Sequence, residues 1–177
     1  SPAKNFVLQL DGAMTNERKR ALVHAGVDLG GYIPDNAYFA DLSEANLDEV
    51  RGLRFVRWAD AYSAEWKIAP EIERGGRVYI SDQRKVIAQA GRIVLNIALF
   101  EDADLNKARE AVLNVPGTEF KFSEYVGEQH VLTVIADRDD ADLFAGIDSV
   151  QFIDEAPEVT PRNSTNRWIV QTNVPGE

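Results

Sequence analysis

The sequence predicts an α+β fold made of two consecutive copies of one βαββαβ unit. The order strand, helix, strand, strand, helix, strand occurs in the first half of the chain and recurs in the second half. The 177 residues suit one medium domain or two small ones. The hydrophobic content of 45%, which includes three Trp, is enough to fill a core, so a disordered chain is not expected.

The first unit opens with the strand FVLQL at residues 6–10. A helix follows, with Thr15 as its predicted N-cap and Gly26 as its stop. Leu22 and Ala25 are among the apolar positions of this helix.

The remainder of the first unit is a hairpin, a short helix and a closing strand. VDLGGYI and AYFADL flank a Pro-Asp-Asn turn at residues 34–36. The segment SEANLDEVRGL offers Ser43 as a helix cap. Leu47, Val50 and Leu53 fall on one face of that helix, and RFVRWAD has the alternating pattern of a strand.

The second half repeats this order. RIVLNIALF predicts a strand, and DADLNKAREAVLNVPG predicts a helix with Leu105, Ala108 and Val112 on its apolar face. TEFKFSEY and QHVLTVIA form a hairpin around Gly127, then RDDADLFAGI forms a short helix and SVQFIDEAP the last strand. Each unit therefore has the ferredoxin-like arrangement, in which two helices cover one face of an antiparallel sheet.

The predicted domain organisation has four parts. They are the first unit at residues 1–70, a connector at 71–90, the second unit at 91–157 and an extended C-terminal arm at 158–177. The connector is rich in Gly and charge. Its apolar run at residues 78–80 could form a small hairpin with Val86 and Ile87, or the latter pair could begin a helix.

Composition excludes several classes of protein. With 19 basic and 29 acidic residues the chain carries a net charge of −10, which repels phosphate backbones and argues against nucleic acid as a partner. The absence of Cys excludes disulfides, thiolate catalysis and Cys-based zinc sites. No apolar run approaches the roughly 20 residues that a membrane-spanning helix needs.

No pattern of catalytic residues is found. His24 and His130 belong to different units, so we expect no metal site and no cofactor. The acidic clusters at residues 101–104 and 139–142 precede helices and are interpreted as caps. No serine lies in a G-x-S-x-G elbow, the pairs Gly30-Gly31 and Gly75-Gly76 are interpreted as turns, and we expect no enzymatic activity.

The C-terminal segment is predicted to be extended. Pro157 and Pro161 forbid a helix and restrict Ala156 and Thr160 to extended conformations. Such an arm can pair with an edge strand in the groove of a partner. A plain linker explains the same residues equally well, and both interpretations stay open on the residues alone.

The stretch APEVTPRNSTNRWIVQTN resembles the junction in secreted subtilisin-family serine proteases where the propeptide ends and the mature enzyme begins. The run from Arg167 to Thr172 corresponds to the opening "xRxIV" segment of the mature chain in the large bacterial branch. The segment YIPDNAYFADLSEANLDEVRGLRFVRWADAY is similar to the hairpin, short helix and closing strand of subtilase propeptides. The resemblance covers nearly the whole chain. It departs from the family in having two propeptide-like units where many subtilases carry one, and in lacking the Asp, His and Ser motifs of the protease domain.

The resemblance implies a non-catalytic propeptide, which acts as an intramolecular chaperone and temporary inhibitor. Its partner would be the catalytic domain of a subtilisin-like serine protease, normally in the same chain. The protein would be secreted, extracellular or periplasmic, with a signal peptide outside this sequence. The processing bond would join Arg162 to Asn163, Arg162 would fill the primary specificity pocket, and residues 163–177 would begin the mature enzyme. A later cut at residues 73–77 would release the propeptide. The implied inhibitory arm consists of Glu158, Val159, Thr160, Pro161 and Arg162.

Two other functions fit the same sequence. A tandem ferredoxin-like module that binds a small regulatory molecule would have a ligand pocket between its units, with Gly-containing loops there. An interaction scaffold within a larger secreted protein would need no pocket.

Overall fold

The computed structural model describes residues 5–74, 78–127 and 129–158. Over these residues the chain is α+β and contains two four-stranded antiparallel sheets. The predicted fold class is therefore confirmed. The boundaries drawn at 70, 90 and 157 stay predictions.

The first unit has the strand order β2-β3-β1-β4, with all neighbours antiparallel. This order places the first and third strands at the centre, as the ferredoxin-like arrangement requires. Its elements are β1 (Asn5–Leu10), α1 (Asn16–His24), β2 (Asp28–Ile33), β3 (Ala37–Asp41), α2 (Leu47–Gly52) and β4 (Val56–Ala61).

Helix α1 begins and ends as predicted. The Thr15 side chain accepts a hydrogen bond from the Arg18 N–H at 3.2 Å. Gly26 has a φ of +80°, and a Cβ added there would lie 2.6 Å from the Glu44 carbonyl oxygen. Only Gly fits at this stop.

The predicted cap of α2 was wrong. Asn46 rather than Ser43 accepts the capping bond, from the Glu49 N–H at 3.2 Å. Ser43 lies in the turn before it, where its N–H donates to the Asp41 side chain at 2.8 Å. The helix therefore starts later than predicted, because the Asn46 N–H is held by the Ala25 carbonyl and fixes the entry of the chain.

The prediction of a turn at Gly30-Gly31 was wrong. Both residues lie inside β2. The register with β3 shifts between Leu29 and Tyr32, so the pair marks a bulge. A Cβ on Gly30 would lie 3.3 Å from the Phe39 Cβ, which explains why a small residue suits this point.

The second unit repeats the topology with the order β6-β7-β5-β8. Its elements are β5 (Arg92–Leu99), α5 (Leu105–Leu113), β6 (Glu119–Val126), β7 (Gln129–Asp137), α6 (Ala141–Ala145) and β8 (Val150–Glu155), with a 3₁₀ helix at Arg138–Asp140 before α6. A single core joins this sheet to its helices, in which Leu95, Leu132 and Phe144 are fully buried.

The two acidic clusters differ in their capping role. Asp104 accepts hydrogen bonds from two N–H groups at the start of α5, as predicted. In the second cluster the predicted capping is wrong. The side chain of Asp137, which precedes the cluster, accepts from the Asp139 N–H, whereas Asp140 makes no side-chain capping bond to α6.

The connector and the residues just before it contain three short helices. A 3₁₀ helix at Ala64–Lys67 is followed by α3 (Pro70–Arg74) and, after the undescribed residues 75–77, by α4 (Asp82–Gln89). Val86 and Ile87 lie in α4 and not in a hairpin; the helix begins earlier than the second alternative had it, at Asp82. The Ser81 hydroxyl caps α4 by accepting from the Arg84 N–H at 3.3 Å.

Candidate functional site

The candidate site begins with the face of the second sheet that points away from α5 and α6, here called the open face. Alternate residues of β5 enter the helix-side core, and the residues between them point the other way. The strand register arranges the open face in three cross-strand rows. These are Ala156–Val94–Ile135–Glu119, then Asp154–Asn96–Thr133–Phe122, then Phe152–Ala98–Val131–Glu124.

The open face presents apolar side chains beside carboxylates. Phe122 is 51% exposed, Val126 55% and Phe152 40%. Glu124 lies among them on an exposed strand. Glu119 is bonded to the guanidinium of Arg92, and this hydrogen bond lowers the pKa of its carboxyl group. The result is an apolar surface with acidic groups at its rim.

Helix α4 covers one end of the open face. Ile87 packs against Val94, Ile135 and Ala156, which form the first row. In the other two rows, Phe122 and Phe152 are exposed.

The outer edge of β8 is occupied at its middle. Ile68 forms an isolated parallel bridge with Ile153, and the Ala69 N–H donates to the Ile153 carbonyl at 2.9 Å. Edge strands with free main-chain groups invite unwanted pairing. This bridge removes that opportunity at the centre of β8.

The residues after β8 are held by the start of α4. The Glu158 carboxylate accepts three hydrogen bonds, from the Ile80 N–H at 2.8 Å, the Ser81 N–H at 3.0 Å and the Ser81 hydroxyl at 2.7 Å. The hydrogen bond from the Ile80 N–H is the largest cause that lowers the pKa of the Glu158 carboxyl group, and the two hydrogen bonds from Ser81 lower it further. Arg84 donates to the Ala156 carbonyl at 2.6 Å. The exit from the second sheet is thus fixed to the connector.

Only the first residue of the predicted arm is placed. Glu158 lies at the exit just described. The other predicted arm and processing residues lie outside the described residues: Val159, Thr160, Pro161, Arg162 and Asn163.

A polar group on the other side of β8 was missed by sequence reasoning. Arg138 donates to the Ile72 carbonyl at 3.2 Å and to the Tyr79 hydroxyl at 3.3 Å. Burial raises the pKa of Tyr79, and a hydrogen bond with the buried Glu155 raises it further. No short sequence motif predicts this group, because its residues are far apart in the sequence.

The two units meet along an aromatic contact. Phe39 of the first sheet packs edge-on against Phe100 with ring centroids 5.4 Å apart. The Tyr62 hydroxyl donates to the Gln151 carbonyl at 3.0 Å, and burial raises the pKa of Tyr62 to about 12.

A cleft of about 680 Å³ lies beside this contact. Its walls carry the aromatic rings of Tyr32, Phe39 and Phe100, and the bulged Gly30-Gly31 pair of β2 forms part of one wall. Four carboxylate residues also line it: Asp28, Asp41, Glu101 and Asp102.

The histidines lie apart from these features. His24 is exposed at the end of α1, 3.9 Å from the Glu49 carboxylate. The His130 ring packs against Tyr125. Within the described ranges, no group of three or more His, Asp or Glu side chains is placed to hold a metal ion.

Among the residues that the structure describes, no helix is both long and apolar enough to cross a membrane.

Residues 1–63, the span that holds β1 to β4, match a family model described as a domain of unknown function (DUF8729). No curated protein matches the chain. The match covers about a third of the 177 residues.

Proposed function

We propose that the chain is the propeptide region of a secreted subtilisin-like serine protease, acting as an intramolecular chaperone and temporary inhibitor. The observation that carries this proposal is the path of the chain at the end of the second unit. β8, an edge strand of a ferredoxin-like sheet, is followed three residues later by Glu158, the first residue of the predicted arm, which is hydrogen-bonded to the start of α4.

The open face is the proposed docking surface. A preformed sheet can bind two surface helices of the protease and stabilise its late folding species, which helps proteases that are stable for kinetic rather than thermodynamic reasons. Phe122 and Phe152 would supply the apolar contacts. Glu124, at the rim of that surface, is suited to cap a helix N-terminus of the enzyme.

The arm is the proposed inhibitory element. Residues 159–162 would lie in the active-site cleft as a substrate-like strand, with main-chain pairing giving affinity and Arg162 giving selectivity. After cleavage between Arg162 and Asn163, the arm would remain as a bound product because the domain behind it stays docked. Binding to the native enzyme would also stabilise that enzyme by mass action.

The cleft between the units supports a second candidate, a module that binds a small regulatory molecule. Its position between the sheets supports that hypothesis, although the Gly pair in its wall lies in the strand β2 and not in a loop. Carboxylates and aromatic rings together suit a cationic ligand such as an amine. A rise in melting temperature with amino acids or polyamines, in a chain that inhibits no protease, would favour this function over the first.

Truncation provides the test of the proposed function. We expect the chain to inhibit a subtilisin-type protease at nanomolar to micromolar concentration, and a version ending at Glu158 to be weaker by about 100-fold, or ~2.7 kcal/mol. The cut belongs after Glu158 because ending at Asp154 would also remove the contacts of Ala156 and Glu158 with α4. Equal melting temperatures of the two versions are the control. Equal inhibition by the two versions would show that the arm has no inhibitory role.

A further inference from the structure

The start of α4 and the exit of β8 form a small set of contacts, here called the clasp. Its hydrogen bonds join residues 72 to 78 positions apart in the sequence, so they are tertiary contacts rather than a local turn. The clasp consists of Ile80, Ser81, Arg84, Ala156 and Glu158.

The contacts of Glu158 are of a strong kind. Hydrogen bonds to an ionised carboxylate are shorter and stronger than those between neutral groups. The donors sit just before the first turn of α4, where the helix dipole also favours a negative charge. Arg84 adds a second attachment two residues upstream, at the Ala156 carbonyl. The last described residues are therefore held at two points.

The clasp is attached to the second sheet itself. Ile87, one turn further along α4, packs against Ala156, Val94 and Ile135 on the open face. Helix α4 ends at Gln89, and β5 begins at Arg92, so the clasp is anchored to the central strand of the sheet. The direction in which the chain leaves residue 158 is thereby tied to the orientation of the open face.

We propose that the clasp is a positioning device, which holds the root of the arm in a fixed direction relative to the docking face. This inference rests on the proposed function. Ordering a free strand on binding opposes association, and fixing one end of that strand beforehand reduces the loss of entropy. The sheet and the arm then bind as one preorganised surface rather than as two independent modules joined by a loose linker. Glu158 acts here as a positioning residue and not as part of the segment that enters the cleft.

The test compares Glu158→Ala with a control variant, Glu44→Ala. The control also removes a glutamate carboxylate, but from an exposed turn of the first unit. In the free chain, Glu158→Ala should speed hydrogen exchange of the Ile80 and Ser81 amides at least about tenfold and lower the backbone order parameters of residues 156–158. The inhibition constant should rise about tenfold, while the melting temperature stays within a few degrees. Ser81→Ala should have the same direction of effect, and Ser81→Thr should restore both exchange protection and inhibition. Glu44→Ala should change none of these quantities.

The outcomes separate the two proposals. Unchanged exchange and order parameters in Glu158→Ala would overturn the clasp, whatever the inhibition assay gives. Faster exchange and lower order parameters with an unchanged inhibition constant would refute the positioning role of the clasp and would leave the propeptide function unaffected. A loosened exit in a chain that inhibits no subtilisin-type protease would refute the proposed function and, with it, the positioning of an inhibitory arm.

Discussion

Replacing Phe144 with Ala should lower the free energy of unfolding by about 3–5 kcal/mol, the loss typical of a buried Phe that leaves a cavity. Phe144 is fully buried and belongs to the core between α6 and the second sheet. Small domains have only about 5–15 kcal/mol of stability, so the change should bring the second unit close to unfolding. Denaturant unfolding followed by circular dichroism measures it.

The neighbouring residue provides the control for Phe144. Leu143 lies on the same short helix but is 53% exposed. Leu143→Ala should cost no more than about 0.5–1 kcal/mol, as expected for a surface change. Equal losses for the two variants would contradict the placement of α6 on the sheet.

The second prediction concerns the open face. A double variant, Phe122→Glu with Phe152→Glu, should raise the inhibition constant by about 100-fold or more, because aromatic anchors dominate interfaces and buried unpaired charges oppose binding. Both side chains are already partly exposed, so the melting temperature should change little. Inhibition titrations and thermal unfolding of the same samples measure the two effects.

A residue on the opposite side of β6 provides the matched control for this variant. Tyr125 is 61% exposed and pairs with His130 rather than with the open-face rows. Tyr125→Glu should leave inhibition within about threefold. If it weakens inhibition as much as the double variant, a charge effect explains the loss and the open face is not the docking surface.

The fold could be predicted because each element carries its own local signal. The nearly continuous apolar runs of β5 and β7 predict buried strands, and the capped, periodic segments of α1 and α5 predict helices, each from a short stretch of sequence. The repeat of the whole order then fixed the number of units. The sheet order follows from this pattern because few topologies are compatible with it.

The errors arose where a local signal was ambiguous and a tertiary contact decided. Ser43 and Asn46 are both good caps, and the hydrogen bond from Asn46 to Ala25 selects the second. Gly30 and Gly31 suit a turn as well as a bulge, and the close approach of Phe39 selects the bulge. In the connector, the apolar run at residues 78–80 suggested a hairpin strand, but Val78 and Ile80 are exposed in the structure and residues 78–80 belong to no strand.

The candidate site was less predictable than the fold. Glu158 and Ser81 are 77 positions apart, and Tyr79 and Arg138 are 59 apart, so no local pattern connects them. The composition shows that acidic residues outnumber basic ones, but it does not predict that carboxylates lie beside Phe122 and Phe152 on the open face. The arm residues were selected by resemblance, and their function stays a prediction.

The structure changes what the proposed cut at residues 73–77 would do. Ser81 and Arg84 lie beyond that cut and remain joined to β5 through α4. The clasp would therefore stay with the second unit, whereas Ile68, which bridges to Ile153 of β8, would belong to the fragment of the first unit. A cut at this point would break the covalent link between the units and would leave the clasp intact.

The most direct measurement of the central claim is the mass of the fragment recovered from a complex with the protease. The whole chain is mixed with a subtilisin-type protease, ideally the enzyme encoded with it, the complex is isolated on a sizing column, and the bound chain is weighed by mass spectrometry. We expect a fragment ending at or within a few residues of Arg162, retained with an inactive enzyme. A chain that is digested at scattered sites, or that elutes apart from a fully active protease, would contradict the proposal that it is a propeptide inhibitor.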